Sequence, residues 1–546
     1  MKTHCLVVVL ATCCSMVTLT PQFATAQTSW VGTTGDFTVS SNWSSGVPDS
    51  GTVASISNGG TAQLTVDDVV DLNNLIIAEG SGSSGTLIID GSDVQPRQIE
   101  IGKLGTGTIT IEDGYLDNNF SGQSIFVGGH DNSGGASGLG TYNVNGGATR
   151  SGDDFQLGRN GTGTLNFTGG NMEGVYTVIG KFGTGIWNQS GGVYDQRGGD
   201  FEIGDGGKPN SDRDISGDRM GIMNFTGGVV QVSNAFAMGN RIGGSQINIS
   251  GGGLAITGDG TNETGDARGN NLYVGRGMDW GSVADASSVS GSHELRITGG
   301  DAVIAVGLDL LFDPNDIFQS ATLITEITGT EHTPILVGRN ADIGNGQLQV
   351  ELNGYSPVSG DSWTLIQAGA DLTDAVAAID EMVTAEGDLD LTFDGVIDSN
   401  DVLEHNINAS SGSIIGQFEA TDFSLAPLTA GLSWEIDYAT NNAVTLSVVG
   451  EAIDLSGDYN NDGFVDLADY TVWRDNLGAT ISLPNEGSGV TPGEVTMDDY
   501  TVWKQNFGTS LGGGSLSTST VPEPSTIVLT LLGLVGAGTI ARRCNG

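Results

Sequence analysis

Cysteine is almost absent from this chain of 546 residues, which contains only four. All four lie close to the ends of the sequence, at Cys5, Cys13, Cys14 and Cys544. The long body between them has no thiol, so disulfide bonds cannot hold its fold. Cysteine-based catalysis and cysteine zinc sites are excluded from the same region.

Basic residues are scarce: 19 Lys and Arg stand against 65 Asp and Glu, which gives a formal net charge of -46. This balance repels nucleic acid and anionic lipid, and it favours bound cations. We therefore expect no nucleic-acid partner. The simpler alternative is that the acidity serves only the solubility of an exported protein.

Sequence motifs of common enzymes are also missing. The chain has no His-Glu-x-x-His helix, no Gly-x-Ser-x-Gly elbow and no Walker phosphate loop. Its histidines are scattered, at His4, His130, His293, His332 and His405. These absences favour a protein without catalytic activity.

A polysaccharide lyase or hydrolase on a β-helix is the alternative that stays open, because its carboxylates come from neighbouring turns and leave no local motif. Asp153, Asp154, Glu202 and Asp205 are the candidates for such a site. In so acidic a chain such pairs arise by accident, and solvated carboxylates explain them better.

Glycine, by contrast, is abundant, with 88 residues, and much of it is periodic. A short segment ending in Gly-Gly recurs along the chain. Where no extra residues are inserted between copies, the spacing is 22 to 24 residues, within the range of solenoid repeats. The copies end at Gly147, Gly170, Gly192, Gly228, Gly252 and Gly300. A second recurring segment of apolar alternation ends at Gly102, Gly158, Gly180, Gly204, Gly239 and Gly275.

Alternation within each copy indicates β-strands. In Leu165-Asn-Phe167 the two apolar residues share one face and the Asn lies on the other. The Gly-Gly pairs supply the positive φ that a corner needs. One such turn cannot bury its own apolar face, so neighbours must stack. We predict an all-β protein built as a parallel β-solenoid or β-helix, with a disordered Gly-rich linker as the alternative.

The N-terminal segment is typical of a secretory signal. Met1-Lys-Thr-His4 precedes an apolar run, and Ala24-Thr-Ala26 offers a small-x-small cleavage site. Residues 1–26 are predicted to be a signal peptide, with lipidation at Cys13 a weaker alternative. Trp30 and Trp43 then indicate a cap over the first turn, although such a pair can also stack on sugar rings.

The C-terminal segment, 521–546, has three parts: Pro522-Glu-Pro524, an almost wholly apolar run from Ile527 to Ala541, and the basic pair Arg542-Arg543. This order closely resembles the PEP-CTERM sorting signal of Gram-negative bacteria. The resemblance implies processing by a membrane exosortase on the way to the cell surface or extracellular matrix. A plain membrane anchor, either transient or retained, is the alternative, and it would be the chain's one membrane contact.

Between these signals we expect a capped solenoid at 27–315 and a β-rich C-terminal cap at 316–450. The region 30–450, with its Gly-Gly strands, resembles the autotransporter-associated β-strand repeat proteins of planctomycete-like bacteria. Within the cap, apolar residues of the stretch 372–386 recur every three or four positions, which predicts an amphipathic helix.

Acidic loops indicate calcium, which takes six or more oxygen ligands from alternate positions of a twelve-residue turn with Gly at position six. The clearer candidate, 458–469, offers Asp458, Asn460, Asp462, the Phe464 carbonyl, Asp466 through water, and Asp469. Inside an EF-hand-like insertion at 372–408, the second offers Asp390, Thr392, Asp394, Val396, Asp398 and Asp401. A solvated turn is the alternative for the first loop and a helix-cap turn for the second.

The segment after the first loop is duplicated thirty residues later, as Tyr470-Thr-Val-Trp473 and Tyr500-Thr-Val-Trp503. Residues 451–510 thereby resemble the dockerin type I module, which implies two calcium loops, small α-helices and a cohesin-like partner. The second copy departs from that pattern, with Ser488, Val490 and Pro492 in place of ligands. We expect its Tyr500, Trp503 and Phe507 to pack against the first copy instead.

Together these features predict an exported surface or extracellular-matrix protein of structural or adhesive function, with a calcium-stiffened attachment module at 451–510 and a linker at 511–520. An extracellular polysaccharide-degrading enzyme is the rival hypothesis, and a polysaccharide is a possible partner of either. The sequence does not select the glycan.

Overall fold

The computed structural model describes residues 26–65, 68–118, 122–129, 138–204, 220–239, 244–258, 269–276, 291–312, 319–387, 389–393, 396–397, 401–407, 411–451 and 453–510. The predicted signal peptide up to residue 25 and the predicted linker and sorting signal from residue 511 lie outside these ranges. About half of the described chain is β-strand.

In chain order, the first strands are β1 (Ala26–Ser29), β2 (Thr34–Asp36), β3 (Thr52–Ile56), β4 (Asn58–Leu64), β5 (Val69–Ile77), β6 (Ser84–Ile101), β7 (Thr106–Asn118), β8 (Ile125–Val127), β9 (Leu139–Val144), β10 (Ala148–Ser151), β11 (Asp154–Leu157), β12 (Thr162–Phe167), β13 (Asn171–Gly174), β14 (Tyr176–Ile179), β15 (Thr184–Gln196), β16 (Phe201–Ile203) and β17 (Met220–Val232).

They are followed by β18 (Phe236–Met238), β19 (Gly244–Ile249), β20 (Gly252–Ile256), β21 (Leu272–Val274), β22 (Gly291–Thr298), β23 (Ala302–Val306), β24 (Leu310–Phe312), β25 (Gln319–Ile327), β26 (Ile335–Val337), β27 (Ala341–Asp342), β28 (Gln347–Leu352), β29 (Ser362–Ala368), β30 (Ile414–Ile415), β31 (Ala420–Leu425), β32 (Leu432–Asp437) and β33 (Ala443–Gly450). The helices are α1 (Thr373–Ala385), α2 (Leu467–Asn476) and α3 (Met497–Asn506), with short 3₁₀ turns at Ser40–Asn42 and Thr440–Asn442.

The strands pair in parallel, and the chain returns to the same ladder of strands at regular intervals. The first ladder runs through β2, β4, β6, β7, β9, β12, β15, β17, β19, β22, β25 and β28. The later parts of the long strands form a second ladder. This ladder also contains the short strands β10, β13, β20, β23 and β26. The third contains β1, β3, β8, β11, β14, β16, β18, β21 and β24.

Register is preserved from copy to copy, because the repeated apolar residues lie directly over one another. Leu165 of β12 pairs with Tyr142 of β9 on one side and with Trp187 of β15 on the other. All three side chains are fully buried. A slip of one residue would move this whole apolar set to the outer face, so burial fixes the pairing.

The predicted role of glycine at corners is confirmed. Gly170 has φ of 80° and Gly192 has φ of 73°, in the region that a side chain rarely adopts. A Cβ added to Gly170 would meet the Gly147 carbonyl oxygen at 2.3 Å, so the close approach of successive corners also requires glycine.

At the N-terminal end, Trp30 and Trp43 are 2% and 4% exposed, with their rings 5.2 Å apart in an edge-to-face contact. The Trp43 indole donates a hydrogen bond of 2.6 Å to the Phe37 carbonyl oxygen. Both rings are therefore packed inside the fold, as the cap interpretation requires, and neither face is open to stack on a sugar.

The predicted helix at 372–386 is observed as α1, and it packs on the outer side of the second ladder. Ala375, Val376 and Ile379 lie in one buried cluster with Val193 and Val229. Further members of the same cluster are Ala255, Ala305, Ala370, Leu372, Leu391 and Leu403. Burial of this apolar stripe explains why a helix interrupts a strand-rich region.

The described chain divides into two compact units. The first contains residues up to Tyr355, together with Trp363–Ala426 and Ile436–Leu446. The second contains Ser356–Ser362, Pro427–Glu435 and the residues from Ser447 onward, which include α2 and α3. Across the described ranges, no helix is both long and apolar enough to cross a membrane.

Candidate metal centres

The clearer candidate loop, 458–469, lies in the second unit and leads into α2. Its turn uses left-handed backbone at Asn461, with φ of 58°, and at Gly463, with φ of 84°. Gly463 occupies position six, where a tight acidic loop needs a residue without a side chain. The carboxylates at the two ends of the loop are buried, since Asp458 is 1% exposed and Asp469 is fully covered.

Backbone N–H groups hold the carboxylates of this loop in place. Asp458 Oδ1 accepts from the Asp462 N–H at 3.1 Å, and Oδ2 accepts from the Gly463 N–H at 2.9 Å. Asp462 Oδ1 accepts from the Phe464 N–H at 3.0 Å. An ionised carboxylate has about four lone-pair sites, so each retains acceptor capacity beyond these bonds.

Asp469 closes the loop from its far end. Its Oδ1 accepts from the Asn460 N–H at 3.0 Å, and its Oδ2 accepts from the Asp466 N–H at 2.8 Å. Burial raises the pKa of Asp469, and the negative charges of Asp458 and Asp462 raise it further, although the two backbone bonds act in the opposite direction. A cation near this carboxylate would relieve the charge repulsion.

The donors along the loop are oxygens, the ligand type that Ca²⁺ prefers. Among the described residues, no group of three or more His, Cys, Asp or Glu side chains lies close enough together to hold a metal ion. The Asp side chains of this loop are turned toward backbone N–H groups. A bound ion would also draw on neutral donors, namely the Asn460 amide oxygen and the Phe464 carbonyl.

The second candidate loop, 390–401, is described only in part, because Asp394 and Asp398 lie outside the described residues. Its ends meet through Thr392, whose N–H donates to Asp401 Oδ1 at 2.9 Å. The Thr392 hydroxyl lies 3.1 Å from Asp401 Oδ1 and 3.4 Å from Asp390 Oδ1. Val396 exposes 56% of its surface.

The bond between positions three and twelve is the same in both loops, since Asn460 donates to Asp469 as Thr392 donates to Asp401. Residues 401–407 contain no helix, so the helix-cap alternative for the second loop is not observed there. The described residues of the second loop thus share the closing contact of the first.

Side chains of the second ladder anchor the start of the 390–401 loop in the first unit. Successive carbonyl oxygens of Asp390, Leu391 and Thr392 accept hydrogen bonds from Asn171 at 2.7 Å, Arg197 at 2.9 Å and Arg150 at 3.1 Å. Asp390 Oδ2 also accepts from the Tyr115 hydroxyl at 3.0 Å. Burial and the neighbouring Asp390 raise the pKa of Tyr115 to about 12.

A row of charged side chains lies next to this anchored segment, and the sequence analysis missed it. Arg150 pairs in register with Glu173, which pairs with Asp195 on the following turn. Arg197 Nε lies 2.6 Å from Asp195 Oδ2, and the Arg150 and Arg197 guanidinium groups lie 3.7 and 3.8 Å from Glu173. Burial raises the pKa of Glu173, while the two arginines lower it. The signal was present in the sequence: Arg150, Glu173 and Asp195 each follow a Gly-Gly pair by three residues.

The second copy of the duplicated segment retains the helix start but not the candidate ligand residues of the loop. Thr496 caps α3 and its N–H donates to Asp499 Oδ2 at 2.7 Å, as Asp466 caps α2 and donates to Asp469. At the positions that match the first loop, Ser488, Val490 and Pro492 supply no carboxylate. The other oxygen of Asp499 is buried and has no hydrogen-bond partner within the described ranges.

The two copies interlock through their tryptophans. The Trp473 indole donates to the Thr496 carbonyl oxygen at 2.7 Å, and the Trp503 indole donates to the Asp466 carbonyl oxygen at 2.7 Å. Each indole thus donates a hydrogen bond to the carbonyl oxygen of the residue that caps the other helix. The predicted packing of Trp503 against the first copy is confirmed by this reciprocal pair.

The remaining aromatic residues extend the same contact. Ring centroids are 5.2 Å apart for Tyr470 and Trp503, and 4.9 Å apart for Trp473 and Tyr500. Phe507 touches Trp503 at 5.2 Å but exposes half of its surface. Tyr500 therefore packs as predicted, whereas Phe507 is only partly covered.

Two of the four carboxylates proposed for a catalytic site in the first unit accept side-chain hydrogen bonds. Asp154 accepts from the Gln156 amide at 2.5 Å, and Glu202, which is 3% exposed, accepts from the Tyr176 hydroxyl at 2.5 Å. Burial raises the pKa of Asp153, with a further contribution from Asp154. Asp205 lies outside the described residues.

Comparison with known proteins identifies one segment of the chain. Residues 520–543 match the family model of the PEP-CTERM protein-sorting motif. The chain carries an exosortase-type sorting signal. The match confirms the predicted C-terminal signal and indicates an exported protein sorted to the cell surface or extracellular space. No curated protein matches the chain, and no solved structure matches it either.

Proposed function

We propose that this protein is a structural or adhesive component of the cell surface or extracellular matrix, with a repetitive β-solenoid body and a calcium-binding, dockerin-like attachment module. Export and surface sorting follow from the PEP-CTERM motif. The body and the module supply the remaining parts of the proposal.

The solenoid proposal rests on the three parallel ladders. Consecutive strands of the first ladder, such as β9, β12 and β15, are separated in sequence by strands of the other two, so the chain completes one turn between them. The length of a stacked structure of this kind can grow without a larger globular core. Such a body can hold a binding face away from the cell surface, as a spacer or adhesin requires.

The observation that carries the module proposal is the closure of loop 458–469 by Asp469, a buried carboxylate with a raised pKa beside Asp458 and Asp462. We propose that Asp458, Asn460, Asp462, the Phe464 carbonyl and Asp469 bind Ca²⁺, with Asp466 acting through water. The ion would neutralise the loop and hold its two ends together. A cohesin-like protein is the partner that the duplicated helices suggest.

The 390–401 loop is proposed as a weaker calcium site of the first unit, since Asp401 replaces the bidentate Glu that usually ends such a loop. Its closing contact between Thr392 and Asp401 supports this assignment. Side chains of the second ladder fix its first residues, so an ion here would reinforce the packing of α1 on the strands.

Isothermal titration with calcium tests the proposal. We expect the wild-type protein to bind calcium, the double variant Asp458→Asn and Asp462→Asn to lose one site, and the variant Asp401→Asn to lose the weaker one. Asp498→Asn is the matched control, because Asp498 lies on an exposed part of α3. The module proposal is wrong if the double variant binds calcium as the wild-type protein does.

A further inference from the structure

The outer side of the first ladder carries an ordered array of threonines. In one row, register aligns Thr34 with Thr61, Thr61 with Thr86, Thr86 with Thr108, Thr108 with Thr141, and Thr141 with Thr164. A neighbouring row, two residues earlier on each strand, contains Ser84, Thr106, Leu139, Thr162 and Thr184. We call these two rows the threonine face.

The spacing of the face follows from its strands. Paired strands lie about 4.8 Å apart, and alternate residues along one strand are about 6.6 Å apart. Parallel pairing spaces the hydrogen bonds evenly, so the row has one repeat distance along its length. The β-branched threonine side chain is restricted at χ1, which keeps its hydroxyl and methyl groups in fixed positions.

The hydroxyls of the longer row are available to an external partner. Thr61, Thr86, Thr108, Thr141 and Thr164 are each half-buried, and their side chains make no hydrogen bond to another residue of the described chain. Each hydroxyl therefore offers one donor and two acceptor sites toward solvent.

An asparagine ladder beside the face keeps successive strands in line. The side-chain amide of Asn166 donates to Asn143 at 2.8 Å, that of Asn188 donates to Asn166 at 3.0 Å, and that of Asn224 donates to Asn188 at 2.9 Å. Side-chain ladders are one of the devices that keep a sheet of many strands flat. The neighbouring rows of threonine lie on the same strands, so their spacing is regular as well.

The face is uncharged in a chain whose net charge is -46, although its longer row contains a charged residue further along. Ile222 pairs with Gln246, and Gln246 then pairs with Glu294. Two residues after Glu294 on the same strand, Arg296 forms ion pairs with Glu326 and Glu351. An uncharged, regular array complements a partner that is itself uncharged and periodic.

The dimensions and chemistry of the face match ordered water. In a tetrahedral network with O···O contacts of about 2.75 Å, two waters that share a third lie about 4.5 Å apart. The rung spacing of about 4.8 Å differs from this distance by a few tenths of an ångström. Neither row contains an aromatic side chain from Ser84 to Thr184, so a platform for stacking sugar rings is lacking.

We infer that the threonine face binds ice, through hydroxyl and methyl groups that order a tetrahedral water layer. This inference rests on the strand register and does not depend on the calcium proposal. The partner inferred for this face of the first unit is the surface of an ice crystal.

The test measures how much of the purified protein is incorporated into slowly growing ice, with serum albumin as the excluded reference. We expect the wild-type protein to be incorporated and the double variant Thr108→Lys and Thr141→Lys to be excluded. Thr322→Lys is the matched control, because Thr322 occupies the same strand position between Glu294 and Gln347. Calcium chelation should leave incorporation unchanged.

A second variant guards against misfolding. Thr108→Val and Thr141→Val preserve shape and β-branching and replace each hydroxyl with a methyl group, so incorporation should fall while the circular dichroism spectrum is retained. The inference is overturned if the wild-type protein is excluded like albumin, or if the Lys variant is incorporated like the wild type. Threonine-dependent adsorption to microcrystalline cellulose without incorporation into ice would also overturn it, in favour of a neutral polysaccharide.

Discussion

The two units of this protein are stabilised in different ways. The first is held by strands that repeat the same register many times, so its buried area is spread over many similar turns. The second depends on one small cluster formed by Tyr459, Val465, Trp473, Leu483, Val495 and Trp503. A repetitive structure distributes its stability, whereas a small module concentrates it in a few contacts.

The largest effect of a single substitution should therefore fall in the second unit. Trp473→Ala removes a buried ring and the indole bond to Thr496, and we expect a loss of about 3–5 kcal/mol in unfolding free energy. Chemical denaturation with two resolved transitions measures it. The exposed Asp475→Ala is the control, with almost no change expected. Equal destabilisation of both transitions would contradict the comparison.

Acid should lower the stability of the first unit, because burial favours the neutral form of His332. Burial lowers the pKa of His332 from 6.5 to about 4, so the unfolded chain binds the proton more readily between these values. Stability contributed by the neutral ring is complete above about pH 6.5 and is lost as the pH falls toward 4, by at most about 3 kcal/mol.

His332→Gln checks this effect, because glutamine cannot take up the proton. Thermal unfolding of the first unit between pH 7 and pH 4 should be less sensitive to acid in the variant than in the wild type. An identical pH profile for the two proteins would show that His332 has no part in the acid response.

Much of the fold could be predicted from the sequence, because its signals are local. Alternation around Leu165, the Gly-Gly corners and the apolar spacing of α1 each lie within a few residues of the structure they specify. The two ends of the 458–469 loop were predictable in the same way, since the positions of Asp458 and Asp469 follow from the loop length alone.

What the sequence did not reveal depends on distant parts of the chain. The bonds from Arg150 and Asn171 to the 390–393 segment join residues more than two hundred positions apart. The threonine face was also missed, because insertions of different length separate Thr108, Thr141 and Thr164. Only the observed register places them in one row.

A smaller effect should distinguish the two copies of the module. Asp466→Ala and Thr496→Ala each remove a helix cap, which costs about 1 kcal/mol. Without calcium the two variants should lose similar stability. With calcium, Asp466→Ala should lose more, because Asp466 is also a proposed ligand through water. Calorimetry in both conditions makes this comparison, and equal losses in calcium would remove Asp466 from the ligand set.

The central claim, that the second unit is a calcium-binding module, is tested most directly by differential scanning calorimetry of the protein with calcium and with chelator. At a calcium concentration of about 100 times Kd, binding adds about 2.7 kcal/mol to the folded state. We predict that calcium raises the melting temperature of the second unit, and that Asp458→Asn with Asp462→Asn abolishes the shift. A second-unit transition at the same temperature in both conditions would contradict the account.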